Sequence, residues 1–471
     1  MTGRLSAATL DKLPGDVARP GYDPAAHGVG IVHLGIGAFH RAHQAAYVDD
    51  VLAAYGGDWR ILGVSLRSPG VRDQLAPQDG LYTLIERDAD GDRPRVIGAV
   101  AGVIVAREEA EAAIAAIADP ATHIVSLTVT EKGYCHDPAT GRLDAANPAI
   151  VADLASGMPM SAIGLIAAGL ARRRIGGAGP VTLLSCDNLP HNGAVLAAVL
   201  ADYLALADPA LADWVAANVR CPATMIDRIV PATTDADRDA LAARLGARDE
   251  GMVKAERFTQ WVIEDDFAGP RPRLEDVGVQ FVADVRPFEL AKLRMLNGAH
   301  STIAYLGLAA GHETVDRAVA DPAIRATAER LMRAEAAPTL PPVAGLDPDA
   351  YAADLLDRFA NPALGHRLIQ IAMDGSQKLP QRLLGTIVDC RRLGIHPAAA
   401  VRGVAGWMAH VRRQGAALDD PMAAQLATLA VKAADDAALV DALLGVRAIF
   451  GDLAGDPWLR AALGSALAEV R

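Results

Sequence analysis

Lysine is scarce in this chain. Of 45 basic residues only Lys12, Lys132, Lys254, Lys292, Lys378 and Lys432 are lysines, and arginine carries the remaining positive charge. Where a fixed charge suffices arginine serves, so a lysine kept in such a background points to work that requires losing a proton. Cysteine is sparse as well: Cys135, Cys186, Cys221 and Cys390 lie far apart and form no C-x-x-C pair. That spacing argues against a disulfide framework or a structural zinc site and leaves four ordinary buried thiols. No apolar run reaches the roughly 18 residues of a membrane span, and the opening MTGRLSAATLDKLPGD has no apolar signal-peptide core, so a cytoplasmic protein is expected. An excess of positive charge is also missing. A net charge of −12 argues against nucleic acid or anionic membrane as the main partner and favours a small molecule.

What is present is apolar residue in quantity, 51% over 471 positions, enough for a large core divided among two or three domains. One stretch combines that apolar character with unusual polarity: residues 288–307, FELAKLRMLNGAHSTIAYLG. On a helix of about 100° per residue, Glu289, Lys292, Asn297 and His300 fall within an arc of roughly 140°, interleaved with Leu293, Leu296 and Ile303. Burying a carboxylate, an amine, an amide and an imidazole together costs several kcal/mol unless they satisfy one another or a ligand. Lys292 is thus a candidate general base. The plainer reading is a helix with a Glu289–Lys292 surface pair.

Residues 28–54, GVGIVHLGIGAFHRAHQAAYVDDVLAA, read as a strand, a glycine turn and an amphipathic helix, the opening of a dinucleotide-binding unit. Gly35 and Gly37 keep the spacing of the first two glycines in G-x-G-x-x-G, whereas the third position is His40. The candidate cofactor contacts are Gly35, Gly37, Ala38, Phe39 and His40, the histidine being either structural or cofactor-facing. His40 and His43 as metal ligands lack a third partner, and no catalytic metal is expected. The strand 59–66 runs into Arg67 instead of the acidic residue that holds ribose hydroxyls, which leaves NAD against NADP open.

Further along, 81–98 read as a hairpin turning at Ala89–Gly91, 107–117 as a helix, 124–130 as a β-branched strand, 161–174 as a helix and 181–185 as a strand. Two strand ends carry polar residues: Lys132 in Glu131–Cys135, and Asn188 in Cys186-Asp187-Asn188. Ligands bind beyond such ends in doubly wound sheets, and an asparagine can hold an alcohol that becomes a carbonyl without adding charge. Asp227 and Arg228 sit inside the apolar segment 223–234 as either a structural ion pair or a ligand contact. Past Pro287 strand signals nearly vanish and Asp-Pro helix starts recur at Asp321, Asp347 and Asp456. The expected organisation is α/β: a Rossmann-type NAD(P)-binding domain over 1–283, then a mainly α-helical substrate domain over 284–471.

Several separated stretches resemble the long-chain polyol, or mannitol, dehydrogenase family over essentially the full length. They are GIGAFHRAHQ at 35–44, SCDN at 185–188, MIDRIVP at 225–231, QWVIED at 260–265 and the spacing Lys292-x4-Asn297-x2-His300. The resemblance implies a metal-independent, nicotinamide-dependent hydride transfer. Lys292 then looks like the base, Asn188 and Asn297 like the pair on the reacting oxygen, and Glu289 like the group that passes the proton to solvent. His300, Asp227 and Lys378 match positions that contact or orient substrate. Within the family, TVTEKGYC at 128–135 and IAMDGSQKLPQR at 371–382 look most like the fructuronate reductase (D-mannonate oxidoreductase) branch, and Gln370 stands where mannitol enzymes often have arginine. A uronate needs a cation for its carboxylate, for which Lys132, Lys378 and Arg382 are candidates. The expected substrate is therefore a sugar acid of the D-mannonate type, with mannitol, sorbitol or arabinitol as the alternative and a non-catalytic NAD(H) sensor as a distant one. A short-chain or zinc-dependent alcohol dehydrogenase fits poorly, because the Tyr-x-x-x-Lys arrangement and clustered cysteines are missing.

Overall fold

The computed structural model describes residues 3–88 and 90–470, and the chain forms two compact units, Met1–Val285 and Arg286–Arg471. The expected Rossmann-type domain followed by a helical one is what is found. Among the described residues no helix is long and apolar enough to cross a membrane.

The first unit is built on β1 (Val29–Leu34), after which come the short helix α1 (Ala38–Ala42) and the longer α2 (Gln44–Tyr55). Then follow β2 (Arg60–Ser65), the hairpin β3 (Tyr82–Asp88) and β4 (Gly91–Ile97), β5 (Val100–Val105), and β6 (Ile124–Leu127). Ala89, in the expected hairpin turn, lies outside the described residues. A two-residue pair, β7 (His136–Asp137) and β8 (Arg142–Leu143), precedes β9 (Val181–Ser185) and β10 (Val219–Arg220). Six strands make one sheet in the order β10-β9-β6-β1-β2-β5, every neighbouring pair parallel. Strands β6 and β9 are buried at every position, the pattern of a parallel sheet covered by helices on both faces. β1 and β6 are neighbours although the chain leaves them in opposite directions, and this switch point is where open α/β sheets bind ligands.

The β-branched run at 124–130 was expected to stay in the sheet to Thr130, but β6 stops at Leu127. Thr130 has φ +65, and the N–H groups of Val129 and Thr130 donate to the Asp187 carboxylate, both at 2.9 Å, instead of to a strand. Smaller sheets flank the main one: β12 (Val253–Glu256) joins the β3–β4 hairpin, and β11 (Thr224–Asp227), β13 (Gln260–Glu264) and β14 (Gln280–Val282) form the other.

The second unit is helical around one large apolar core, with Met295, Ile303, Leu331, Leu383, Trp407 and Leu463 fully buried. Its Asp-Pro helix starts behave as the sequence suggests. The carboxylates of Asp321, Asp347 and Asp456 accept backbone N–H groups of the first turn, with proline at the first helical position. A helix running from Arg286 to Ala309 crosses the core, and it is not α-helical throughout. Arg286–Ala291 and Gly298–Ala309 are α, whereas Lys292–Asn297 is a π-helical stretch in which the Gly298 N–H reaches back to Leu293 O.

Candidate active site

In the first unit the candidate site lies at the carboxyl ends of β1, β6 and β9. Gly35 has φ +95, and a Cβ there would meet Thr128 O at 2.1 Å, so only glycine lets the turn lie against the chain leaving β6. The Gly35 N–H donates to Val64 O at 2.9 Å, and Thr128 Oγ1 donates to Gly35 O at 2.7 Å. Gly37 plays the opposite part. A Cβ there would meet nothing nearer than Gly35 O at 3.9 Å, and as N-cap of α1 it offers no side chain to the first helical N–H groups. Those groups, starting at Ala38 and Phe39, have no partner within the helix. An open backbone concavity with donors at a helix start fits a dinucleotide pyrophosphate.

His40, at the third glycine position, turns into the core. It is 1% exposed and stacks on His33, ring centroids 3.4 Å apart at 16°. His33 is fixed in turn by Ser126 Oγ at 2.7 Å and Thr128 Oγ1 at 2.8 Å. Burial pushes His33 down to about 3 and holds His40 well below the usual imidazole range, so both rings are neutral. The close helix–strand packing that glycine normally allows is thus replaced by a ring stack, joined through Thr128 to the glycine turn. His43 contacts Gln260 O at 2.9 Å, and Phe39 stacks on it at 5.2 Å. Arg67 is exposed just beyond β2.

Asp187 organises the strand ends more than the sequence suggested. Besides the two loop N–H groups it accepts the Tyr134 hydroxyl at 2.8 Å, and burial raises its carboxyl. It thereby ties the loop carrying Lys132 to the turn carrying Asn188; both of those side chains are exposed. Asn192 holds the turn from below, donating to Asp187 O and Thr224 O. Asp227 is the last residue of β11 and is buried. Its neighbour Arg228 is structural: the guanidinium donates to Glu86 at 2.7 Å, Ala42 O at 2.5 Å and Glu256 O at 2.9 Å.

In the second unit the π-helical stretch changes the geometry that an all-α reading gives Lys292 and Asn297. In an α-turn residue i stacks on i+4, whereas the i→i+5 bonding of a π-turn stacks i on i+5. Lys292 and Asn297 are five apart, so the π register aligns them. Lys292 and His300 are buried, Glu289 and Asn297 half-buried. Gly298 allows a close crossing, since a Cβ there would meet Arg382 O at 2.9 Å.

That crossing brings cations to the helix. Arg382 Nη1 donates to Ser301 Oγ at 3.0 Å, and Arg382 makes no ion pair among the described residues. Lys378 donates to Met373 O at 2.5 Å, with Asp374 farther off at 3.8 Å. Its ammonium is lowered by burial and by the Arg382 charge. The His300 ring packs on Phe359 at 4.7 Å and on His366 at 5.4 Å, and burial together with His366, Arg358 and Arg382 keeps it neutral. Lys378, Arg382 and His300 are therefore assembled within one unit, whereas Lys132, Asn188 and Asp227 belong to the other. All four cysteines are free, three of them buried.

Residues 29–276 match the mannitol dehydrogenase Rossmann domain, and residues 284–471 match the mannitol dehydrogenase C-terminal domain. The chain belongs to the mannitol dehydrogenase family of oxidoreductases. A D-mannonate oxidoreductase of Escherichia coli (strain K12) is 46% identical over 450 residues, covering 93% of this chain and 92% of the relative. Among solved structures, the Pseudomonas fluorescens mannitol 2-dehydrogenase ternary complex with NAD and D-mannitol matches with TM-score 0.85 at 39% identity, covering 99% and 97% of the two chains. A substrate-free D-sorbitol dehydrogenase matches with TM-score 0.91 at 33% identity, covering 99% and 98%. Relatives within the family thus differ in named substrate while sharing both domains.

Proposed function

We propose that this mannitol dehydrogenase family member is a cytoplasmic, NAD-dependent oxidoreductase that interconverts a secondary alcohol and a ketone on a linear sugar acid of the D-mannonate/D-fructuronate type. The observation that carries the substrate reading is Arg382, a largely desolvated guanidinium that bonds a neutral serine hydroxyl and makes no ion pair among the described residues, beside the half-buried Lys378. A half-buried cation with no direct ion pair is stabilised by an anionic ligand, and a uronate carries a carboxylate while a polyol does not. The 46% identity to a D-mannonate oxidoreductase supports the same choice. NAD is supported by the glycine turn at the switch point and by the NAD bound in the Pseudomonas fluorescens relative.

When bound, the nicotinamide accepts or supplies the hydride. The protein's own part is acid–base chemistry and positioning. Neutral Lys292 takes the hydroxyl proton as the alcohol is oxidised and returns it in reduction, with Glu289 one turn earlier passing it toward solvent. Asn188 and Asn297 donate hydrogen bonds to the oxygen as charge develops on it, each such donor contributing on the order of 2.7–4 kcal/mol. Asp227 and the neutral His300 orient the sugar hydroxyls. The test is kcat/KM for oxidation of D-mannonate and of D-mannitol, each with NAD and with NADP. A preference of at least tenfold for D-mannonate with NAD is expected. A preference for D-mannitol would discard the carboxylate site and leave a mannitol 2-dehydrogenase.

A further inference from the structure

The second unit contains a cleft of about 590 Å³ that none of the candidate catalytic residues lines. It is walled by the helices Pro322–Arg330, Ala398–Gln414 and Pro457–Glu469. Its volume lies in the range of small-molecule sites, and alanines such as Ala462 give it an apolar floor.

Its polar lining is mixed, with Arg330, Arg402, His396, Thr327, Ser465 and Glu469. Two arginines face it, and they differ in one respect. Arg330 is neutralised by the buried Glu335 carboxylate, Nε to Oε1 at 3.1 Å. Arg402 has no such partner: Nη1 donates to the Thr327 hydroxyl at 3.1 Å, Nε is buried without an acceptor, and no ion pair forms among the described residues. The N-terminus of the helix carrying Arg402 is already occupied, because Glu335 also accepts the N–H groups of Ala399 and Ala400, both at 2.8 Å. The positive charge left over in the cleft therefore belongs to Arg402, with Ser465 beside the apolar floor as a further hydrogen-bonding group. Glu469 also lines the cleft, which disfavours a polyanion and sets an upper limit on ligand charge.

We propose that this cleft binds a small organic anion, a carboxylate or a phosphate monoester, with its charged end on Arg402 and its carbon skeleton on the alanine floor. The site is independent of the catalytic reading.

The test is thermal unfolding of the full chain titrated with succinate and, separately, with glycerol 3-phosphate, against sodium chloride of equal ionic strength. At least one of the two anions gives a saturable rise in Tm beyond the chloride control, and which one does so identifies the carboxylate or phosphate source. Arg402→Gln removes the charge, and Ala462→Leu fills the cleft while keeping it. Each weakens the apparent affinity tenfold or more, and Arg402→Lys restores part of it. Far-UV circular dichroism and sugar turnover, unchanged in the variants, establish that they fold. No saturable response in the wild type, or full retention of binding in either Arg402→Gln or Ala462→Leu, overturns the proposal.

Discussion

Arg382 and Lys378 are the two side chains on which the substrate reading rests, and Lys378 is the one to test by substitution. Lys378→Met removes a half-buried charge that touches only backbone carbonyls and, more distantly, Asp374. A lost charge-assisted contact is worth about 1.5–3 kcal/mol, so kcat/KM for D-mannonate should fall about tenfold to a hundredfold, with a smaller loss for D-mannitol. Equal losses on both substrates would place Lys378 outside carboxylate recognition. Lys132 was an equal candidate in the sequence, yet its side chain is exposed on the loop after β6. Lys132→Met is accordingly expected to change D-mannonate kcat/KM by less than threefold. Burial separates residues that look alike in sequence. Hydrogen bonding adds what burial does not: Arg228, buried like its neighbour Asp227, is tied structurally to Glu86 and two backbone carbonyls. Asp187 stands beside Asn188 at a polar strand end, but its work, bonding two N–H groups across a loop, leaves no periodic signal. A carboxylate two residues past a buried strand was the one hint.

The glycine turn and the π-helical stretch are the two elements that shape the candidate site. Gly35→Ala would drive a Cβ into Thr128 O and strain a backbone at φ +95. Affinity for NADH, read by fluorescence titration, should drop at least tenfold; an unchanged value would mean that the turn does not bear the dinucleotide. The turn itself was legible because glycine spacing reports directly on backbone needs. What replaced the third glycine was not, since a His33–His40 stack depends on two residues meeting across a helix–strand interface. The strand β5 was also overlooked in the sequence: VAGVIV follows the hairpin after only Gly98 and Ala99, too short a connection to mark a new element. The π-helical register was missed for a different reason. Apolar periodicity follows 3.6 residues per turn, and the polar pair five residues apart, Lys292 and Asn297, was the signal that the helix departs from it locally.

For the molecule as a whole, buried neutral histidines set the response to acid. His33, His40 and His300 are all held below the ordinary imidazole value of 6.5 by burial. Below about pH 6.5 the unfolded chain takes up protons that the folded chain refuses, so their contribution is fully present above that pH and is lost as pH falls. Each fully unmatched histidine costs about 1.4 kcal/mol per pH unit. Asp49, Asp187 and Asp249, whose carboxyls burial raises, act in the opposite sense at lower pH. Tm should therefore fall steadily between pH 6.5 and 5.5, and a flat profile there would contradict the neutral assignment. The division into a parallel-sheet unit and a helical unit was readable because strand and helix signals segregate along the chain. The pairing of Arg382 with Ser301 was not, since 81 positions separate them and only the Gly298 crossing brings them together. Lys292 as the proton acceptor is tested most directly by the turnover of Lys292→Ala measured alongside its NADH affinity. Turnover reduced by at least a thousandfold with NADH affinity within threefold of wild type is predicted. Near-normal turnover in a folded variant would remove Lys292 as the base and the mechanism with it.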